Sequence, residues 1–252
     1  MSIVREKPFL SRTILPMPLT GARAHLVGQT DAHLCSVAEA VAFGDRLHNG
    51  AVAAFLELKA EAALEGFDIA ILSGFRSFDQ QLSIWNRKAT GQLAVLDSRA
   101  RPLDITALSG EELAWSILRW SALPGASRHH WGTDLDIYDR AAKPEGYEVE
   151  LIPDEFEPGG MFGPLHDWLD SRIADGAAFG FFRPYDLDRH GVAPERWHVS
   201  FAPLSSVYAR MLTPELLQDT IEQADMRLKD VVLDHLQGIF DRFVTNTNPA
   251  FA

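Results

Sequence analysis

Three short apolar segments with the character of β-strands place the strongest constraint on the fold of this chain. They span residues 67–74 (FDIAILSG), 133–139 (TDLDIYD) and 195–201 (ERWHVSF), and long stretches of chain separate them. Because so few short strands can form only a small sheet, helices must supply much of the core. We therefore predict an α+β fold, in which a small antiparallel or mixed sheet packs against flanking helices.

The stretches around these strands have the composition and apolar periodicity of helices. Ser77 and Ser109 have the character of N-cap residues, and Gly66 is placed to end the helix that precedes the first strand. The predicted helices span residues 50–65, 77–89, 109–121 and 163–180.

Both ends of the chain differ from the region between them. Residues 1–35 contain prolines and few periodic apolar positions, so we predict an irregular N-terminal segment. The main domain is expected to span residues 36–212. A C-terminal helical extension is predicted over residues 213–252, as one long helix or as a helical pair broken near Gly238. We expect a monomer whose extension packs on the domain, with dimerisation through that helix as the alternative.

Composition excludes several classes of protein. The chain has 252 residues, 46% of them hydrophobic and 23% charged, which is ordinary for a soluble globular protein. A net charge of −12 argues against a nonspecific nucleic-acid binder, which needs a basic surface. The single cysteine, Cys35, excludes an intramolecular disulfide framework and a cysteine-rich zinc finger. A metal would therefore have to be held by histidines and carboxylates.

The sequence contains no apolar run of the roughly 20 residues that a membrane-spanning helix needs. Pro16 and Pro18 interrupt the only apolar patch near the N-terminus, which makes that segment a poor signal peptide. On these grounds we expect a cytoplasmic protein.

The segment SRHHWGTDLD, residues 127–136, concentrates four side chains that can bind metal. In a strand, Asp134 and Asp136 share one face, so alternation alone does not say which of them is a ligand. His129 and His130 point in different directions in any extended backbone, so a single metal would use one of them.

Two further segments carry side chains suited to catalysis. In PERWHVSF, Glu195 and His198 place a carboxylate close to a histidine, which could complete a site with three protein ligands and a nearby base. In SGFRS, Arg76 follows the first predicted strand, where a guanidinium can hold a carboxylate through two hydrogen bonds.

Taken together, these segments resemble the zinc D-alanyl-D-alanine carboxypeptidases, the VanY-like branch of a peptidase group that also includes D-Ala-D-Ala dipeptidases and some phage endolysins. The resemblance extends over about residues 45–205. The family patterns S-x-H-x-x-G-x-A-x-D, E-x-W-H and S-G-Y-R-S are matched by Ser127, His129, Gly132 and Asp136, by Glu195, Trp197 and His198, and by the segment SGFRS. The chain departs from the patterns at Phe75, which replaces a tyrosine, and at Asp134, which replaces a small residue.

The resemblance implies a role for each matched residue. His129, Asp136 and His198 would be the zinc ligands, and Glu195 the general base. Arg76, Ser127 and Gln81 would bind the substrate, with Arg76 on its C-terminal carboxylate, while Trp197 would form a wall of the site. The role of Asp134 stays open: it could be an alternative ligand or a residue that orients the ligands or Arg76. His130 could be a residue without a role in the site or part of the wall of the cleft.

The resemblance further implies a Zn²⁺ peptidase that removes C-terminal D-alanine from peptidoglycan stem peptides, at a DD or an LD bond. A D-Ala-D-Ala dipeptidase and an endolysin-type endopeptidase are the enzymatic alternatives. A noncatalytic module that binds wall peptides is the alternative outside the enzymes, and Glu195 argues against it because such a module needs no base. Membership of the family would also fit a location in the cell envelope.

Overall fold

The protein is described by a computed structural model that covers residues 19–251. Its four strands form one sheet in the order β1–β2–β4–β3, and every pairing is antiparallel. The strands are β1 (Ile69–Ser73), β2 (Asp134–Asp139), β3 (Phe181–Phe182) and β4 (His198–Phe201). The predicted α+β class is therefore confirmed. Three strands lie in the predicted segments, whereas the two-residue β3 was not predicted.

Eleven α-helices surround this sheet in the described part of the chain. They are α1 (Leu19–Leu26), α2 (Val37–Ala40), α3 (Val52–Leu64), α4 (Phe78–Ala89), α5 (Gly110–Leu118), α6 (Pro153–Phe156), α7 (Gly163–Ala174), α8 (Ala202–Met211), α9 (Pro214–Glu222), α10 (Lys229–Asp234) and α11 (Leu236–Ile239). Shorter turns add 3₁₀ segments at Asn49–Ala51, Ile105–Ala107, Arg128–Trp131 and Pro249–Phe251, and a π-helical turn at Phe240–Val244.

Local signals account for the beginnings of α4 and α5. The Ser77 side chain accepts a hydrogen bond from the Gln80 backbone, and the Gln80 side chain accepts one from the Ser77 backbone. Ser109 and Glu112 make the same reciprocal pair at α5. Each pair satisfies two backbone donors that a helix N-terminus otherwise leaves free, so both helices begin where the sequence predicts.

The two faces of the sheet have different partners. Leu135, Ile137 and Val199 face a core that includes Phe55 and Leu58 of α3, and all five side chains are fully buried. Successive residues of a strand point to opposite faces, so Asp134 and Asp136 lie on the other face together. This face forms the floor of the candidate site.

The C-terminal segment differs from the predicted single helix or helical pair. Leu228 has a positive φ of 59°, which a right-handed helix cannot accommodate, so the chain turns between α9 and α10. The turn lets Leu217 of α9 and Val232 of α10 enter the same core as Trp85 of α4. The prediction of one long helix or a broken pair was wrong, because several short helices bury this apolar surface better than one straight helix would.

The N-terminal prediction also needs correction. Residues 1–18 lie outside the described part of the chain, but residues 19–26 form α1 within the segment predicted to be irregular. Leu26 and Val27 are buried in the core that contains Trp85. Trp131 Nε1 donates a hydrogen bond to the Leu26 carbonyl oxygen at 3.0 Å, which ties this helix to the segment that carries His129.

None of the helices in residues 19–251 is long and apolar enough to cross a bilayer. Cys35 is a buried free thiol.

Candidate active site

The sheet brings two of the predicted ligands together. Asp136 of β2 is the direct cross-strand partner of His198 of β4. Side chains at paired positions of antiparallel strands lie on the same face and close together. His198 Nδ1 is accordingly 3.2 Å from Asp136 Oδ1.

The third predicted ligand comes from the 3₁₀ turn that precedes β2. His129 Nδ1 is 2.9 Å from the carbonyl oxygen of Gly74, so its N–H donates to that oxygen and the lone pair of Nε2 is left free. That Nε2 atom lies 3.3 Å from Asp136 Oδ2. Gly132 ends the turn in the left-handed region, with φ at 66°, and the chain then enters β2.

The donor atoms of His129, Asp136 and His198 lie within 4.8 Å of one another, and all three residues are buried. Asp136 Oδ1 makes no hydrogen bond of acceptable geometry to residues 19–251, so a buried carboxylate oxygen is left for another partner. Two imidazole nitrogens and a carboxylate suit zinc and related divalent ions, and three protein ligands leave a coordination position open. The residues present therefore fit a metal ion.

Asp134 is committed to other partners. Its Oδ1 accepts from Arg128 Nε at 2.6 Å and from His198 Nε2 at 3.1 Å, and its Oδ2 accepts from Thr133 Oγ1 at 2.8 Å. The bond to Asp134 keeps the proton of His198 on Nε2 and turns Nδ1 towards Asp136. Among the alternatives open for Asp134, the geometry favours the orientation of a ligand histidine.

The electrostatics of the cluster favour positive charge at its centre. Burial opposes ionisation of Asp136, but His129 and His198 outweigh it and hold the pKa of the carboxyl below its usual range. Burial likewise opposes the charged form of His198, yet the surrounding carboxylates of Asp134, Asp136 and Glu195 raise the pKa of the imidazole well above its usual value. Three carboxylates close to His198 make the site suited to a divalent cation.

Glu195 stands beside this cluster. The turn before β4 is closed by a hydrogen bond from the His198 backbone N–H to the Glu195 carbonyl oxygen. This turn sets Glu195 Oε2 3.4 Å from His198 Nδ1. Both side chains line one cavity, together with Trp197. Trp197 forms part of its wall, as the sequence predicts, and its ring stacks on Trp120 with centroids 6.4 Å apart.

Arg76 enters the same cavity as a cation without a carboxylate partner among residues 19–251. Its Nη1 donates to Gln81 Oε1 at 3.0 Å and its Nη2 donates to Ser73 Oγ at 2.9 Å, both neutral groups. Ser127 also lines the cavity, and its buried hydroxyl has no hydrogen-bond partner in this part of the chain. A guanidinium without a carboxylate partner and a hydroxyl without a hydrogen-bond partner, both facing one cavity, are suited to bind an anion.

Gln81 and His130 lie behind the cavity. The fully buried Gln81 side chain accepts from Arg76 and donates from Nε2 to the Ala122 carbonyl oxygen at 2.7 Å, so it braces Arg76. Gln81 is not among the side chains that line the cavity, and its predicted contact with the substrate stays a prediction. His130 accepts from the Gly125 N–H and donates to the Arg76 carbonyl oxygen, which leaves both ring nitrogens engaged within the protein.

Lys88 and Tyr185 are among the side chains of the cavity that the sequence interpretation missed. Lys88 follows Gln81 by seven residues on α4, so helical periodicity could have placed it on the same side of the helix. Tyr185 lies in the loop before β4, and its ring is buried and contacts the His198 ring with centroids 5.1 Å apart. No local pattern distinguishes it from the exposed residues that follow it.

An α+β scaffold on which two histidines and an aspartate converge beside an uncommitted glutamate is the arrangement of a metal-dependent hydrolase. The family model VanY, described as D-alanyl-D-alanine carboxypeptidase, matches residues 44–204. Because this match covers well over half of the chain, the protein belongs to the VanY family and is a peptidase. The resemblance recognised in the sequence is thereby confirmed.

Other similar proteins were found in sequence and in structure. An uncharacterized protein of Haemophilus influenzae is 32% identical over 124 residues, which is 48% of this chain and 92% of the relative. The solved structure of VanYB in complex with D-alanine-D-alanine is 20% identical, with a TM-score of 0.47, over 78% of this chain and 92% of that one. A VanY D,D-pentapeptidase variant in complex with Zn(II) is 21% identical, with a TM-score of 0.47, over 75% and 90%.

Proposed function

We propose that the protein is a zinc carboxypeptidase that removes C-terminal D-alanine from peptidoglycan stem peptides. The observation that carries this proposal is the uncompensated Arg76 in the cavity that also contains Glu195 and the His129–Asp136–His198 cluster. A cation beside a hydrolytic centre selects substrates that end in a free carboxylate close to the bond that is cut. This distinguishes an exopeptidase from an enzyme that cuts within a chain.

In this proposal His129 would hold zinc through Nε2, His198 through Nδ1, and Asp136 through its carboxylate. Zinc, when bound, supplies a Lewis acid that polarises the scissile carbonyl and makes an attacking water more acidic. The hydrogen bonds from His129 to Gly74 and from His198 to Asp134 orient the two rings before the ion arrives, so little reorganisation is needed on binding.

Glu195 is the proposed general base. Its carboxylate takes a proton from the attacking water as the new C–O bond forms, and returns it to the amine nitrogen as the C–N bond breaks. The products are a peptide shortened by one residue and free D-alanine. Glu195 is suited to this role because it faces the cavity and its carboxylate has no arginine or lysine bonded to it within residues 19–251.

Arg76 and Ser127 are the proposed binding groups for the terminal carboxylate. The guanidinium is held from behind by Gln81 and Ser73, so it is already fixed in place when substrate arrives. The buried Ser127 hydroxyl, which has no hydrogen-bond partner in residues 19–251, offers an additional donor. Together these groups would bind the terminal carboxylate one residue beyond the scissile bond, so that only the last residue is released.

Mass spectrometry of the products tests this function. We expect the zinc-loaded protein to release one D-alanine from a stem pentapeptide or a stem tetrapeptide, which also decides between a DD and an LD bond. Cleavage of free D-Ala-D-Ala instead would indicate the dipeptidase activity. Release of D-alanine from none of these substrates would contradict the proposal.

Replacement of Glu195 by alanine tests the proposed base. We expect Glu195→Ala to retain stoichiometric zinc and to lose at least about 100-fold in kcat, since a positioned acid–base group contributes about that factor or more. Glu150→Ala is the matched control, because Glu150 lines the same cavity from an exposed position. Undiminished turnover of Glu195→Ala would remove Glu195 from this role.

A further inference from the structure

The cavity contains a second cation that the proposed chemistry does not use. Lys88 lies in the last turn of α4 and lines the cavity together with Arg76, Glu195 and Trp120. Its side chain is partly buried and makes no hydrogen bond or ion pair with residues 19–251. The three other lysines of residues 19–251 are also partly buried, but each has a partner: Lys59 pairs with Asp68, and Lys143 and Lys229 donate to the carbonyl oxygens of Tyr147 and Glu222.

The surroundings of Lys88 favour an anion as its partner. Burial lowers the pKa of its ammonium group to about 8, the nearby Glu195 raises it and Arg76 lowers it. A lysine that loses hydration without a hydrogen-bonded or ion-paired partner is poorly stabilised in the free protein. A carboxylate that enters the cavity would restore the lost interactions.

Lys88 and Arg76 enter the cavity from different ends of α4, since Arg76 precedes the helix and Lys88 lies in its last turn. Arg76 is bonded to the side chain of Gln81, and Lys88 follows Gln81 by seven residues, which corresponds to about 10 Å along a helix axis. The terminal carboxylate already has Arg76 and Ser127 as proposed donors, so it does not need Lys88. If Arg76 holds the terminal carboxylate, the partner of Lys88 is a different one.

We propose that Lys88 binds a second free carboxylate of the substrate, located on the N-terminal side of the scissile bond. This inference rests on the proposed carboxypeptidase function, in which a single alanine leaves and carries only the carboxylate that Arg76 holds. The substrate class is therefore a stem peptide with an additional free carboxylate. Two residues of such a peptide can supply it: a γ-linked glutamate through its α-carboxylate, or a diaminopimelate through its side chain.

Four synthetic pentapeptides distinguish these sources. They carry glutamate or its α-amide at the second position, combined with diaminopimelate or lysine at the third. The measurement is kcat/KM for D-alanine release by the zinc-loaded full chain. We expect loss of the carboxylate that Lys88 binds to lower kcat/KM about tenfold, as is typical of one charge-assisted hydrogen bond.

The variants Lys88→Gln and Lys88→Arg complete the test. Lys88→Gln should lower kcat/KM about tenfold for the preferred peptide and should no longer discriminate between peptides with and without that carboxylate. Lys88→Arg should preserve the preference. Arg87→Gln is the matched control, because it removes one positive charge from an exposed neighbouring position of α4 and should leave the preference unchanged.

The outcomes separate this inference from the proposed function. If the wild-type protein cleaves all four peptides alike, or if Lys88→Gln slows all four by one factor, Lys88 does not bind a second carboxylate. If no peptide releases D-alanine, the proposed function fails instead. In that case dissociation constants of the same peptides, measured by calorimetry with wild type and Lys88→Gln, still decide whether Lys88 discriminates between them.

Discussion

Asp134 and Asp136 are two residues apart on one strand face, but their environments assign them different chemistry. Asp134 Oδ1 accepts from both Arg128 and His198, whereas Asp136 Oδ1 has no hydrogen-bond partner within residues 19–251. A carboxylate already bonded to an arginine has little to gain from a metal ion. At the scale of single residues, the partner of each oxygen thus separates an orienting group from a candidate ligand.

We expect Asp134→Asn to weaken zinc binding by about 10- to 100-fold, the range typical for loss of a group that orients a ligand histidine. Competition with a chromogenic chelator measures the affinity, and thermal melting checks that the variant is folded. Asp139→Asn is the matched control, since Asp139 is a buried aspartate of the same strand that bonds only to backbone amides. An unchanged zinc affinity in Asp134→Asn would show that His198 keeps its orientation without this bond.

At the scale of elements, the junction between the 3₁₀ turn and β2 determines how His129 meets Asp136. Gly132 occupies this junction with a φ of 66°, and a Cβ atom there would lie 2.6 Å from Leu34 Cδ2 and 2.9 Å from the His48 backbone nitrogen. The His48 N–H donates to the Gly132 carbonyl oxygen at 2.7 Å. A side chain at this position would therefore displace the turn relative to the strand.

We expect Gly132→Ala to lower the free energy of unfolding by about 1–3 kcal/mol, from backbone strain and the steric clash, and to weaken zinc binding as well. Gly66→Ala is the control, since Gly66 has a φ of 91° but open space around it. It should lose stability through strain alone and keep its zinc affinity. Equal zinc affinities of the two variants would contradict this account of the junction. Urea unfolding and chelator competition provide the measurements.

At the scale of the whole molecule, segments outside the family match are built into the same core as the domain. Leu26 before that region, and Leu217 and Val232 after it, pack together with Trp85 and Ile117. The apolar face that the sequence offered as a surface for dimerisation is thus largely buried within one chain. The boundaries predicted at residues 35 and 212 stay a prediction, since the core crosses both of them.

Three histidines illustrate this integration and make stability depend on pH. The rings of His25 and His33 stack with centroids 3.6 Å apart, and His48 Nε2 lies 2.9 Å from the Tyr208 hydroxyl of α8. Burial lowers the pKa of His25 and of His48 to about 4, and that of His33 to about 2. In an unfolded chain each would titrate near 6.5. Above that pH the rings are neutral in both states and impose no penalty.

As the pH falls below 6.5, the unfolded chain binds protons that the folded protein does not, so the free energy of unfolding decreases until the folded pKa is reached. We expect metal-free wild type to lose about 1 kcal/mol more than His25→Gln between pH 7.5 and pH 5.5, measured by urea unfolding. His235→Gln, a change at a partly exposed histidine, should match the wild-type dependence. The same pH dependence in His25→Gln and wild type would show that His25 is not held neutral.

The sequence by itself determined the class of the fold and most of the residues that meet at the site. Strand alternation placed Asp134 and Asp136 on one face, and the capping residues Ser77 and Ser109 predicted where their helices begin. Family patterns named His129 and His198, which the structure brings together with Asp136. These signals are local or depend on fixed spacing, so they can be recognised without knowledge of the tertiary structure.

Only the tertiary structure decided the rest. Asp134 is bonded to Arg128 and to His198 of β4, whereas Asp136 Oδ1 is not bonded. Because β4 lies far along the chain, the spacing of residues in the sequence does not predict this difference. Gln81 and Lys88 share one side of α4, but their side chains have different surroundings. Gln81 is buried and bonded to the Ala122 carbonyl oxygen and to Arg76, whereas Lys88 faces the cavity. Long-range packing likewise divides the C-terminal segment into several short helices, because burial of its apolar residues in one core outweighs local helical propensity.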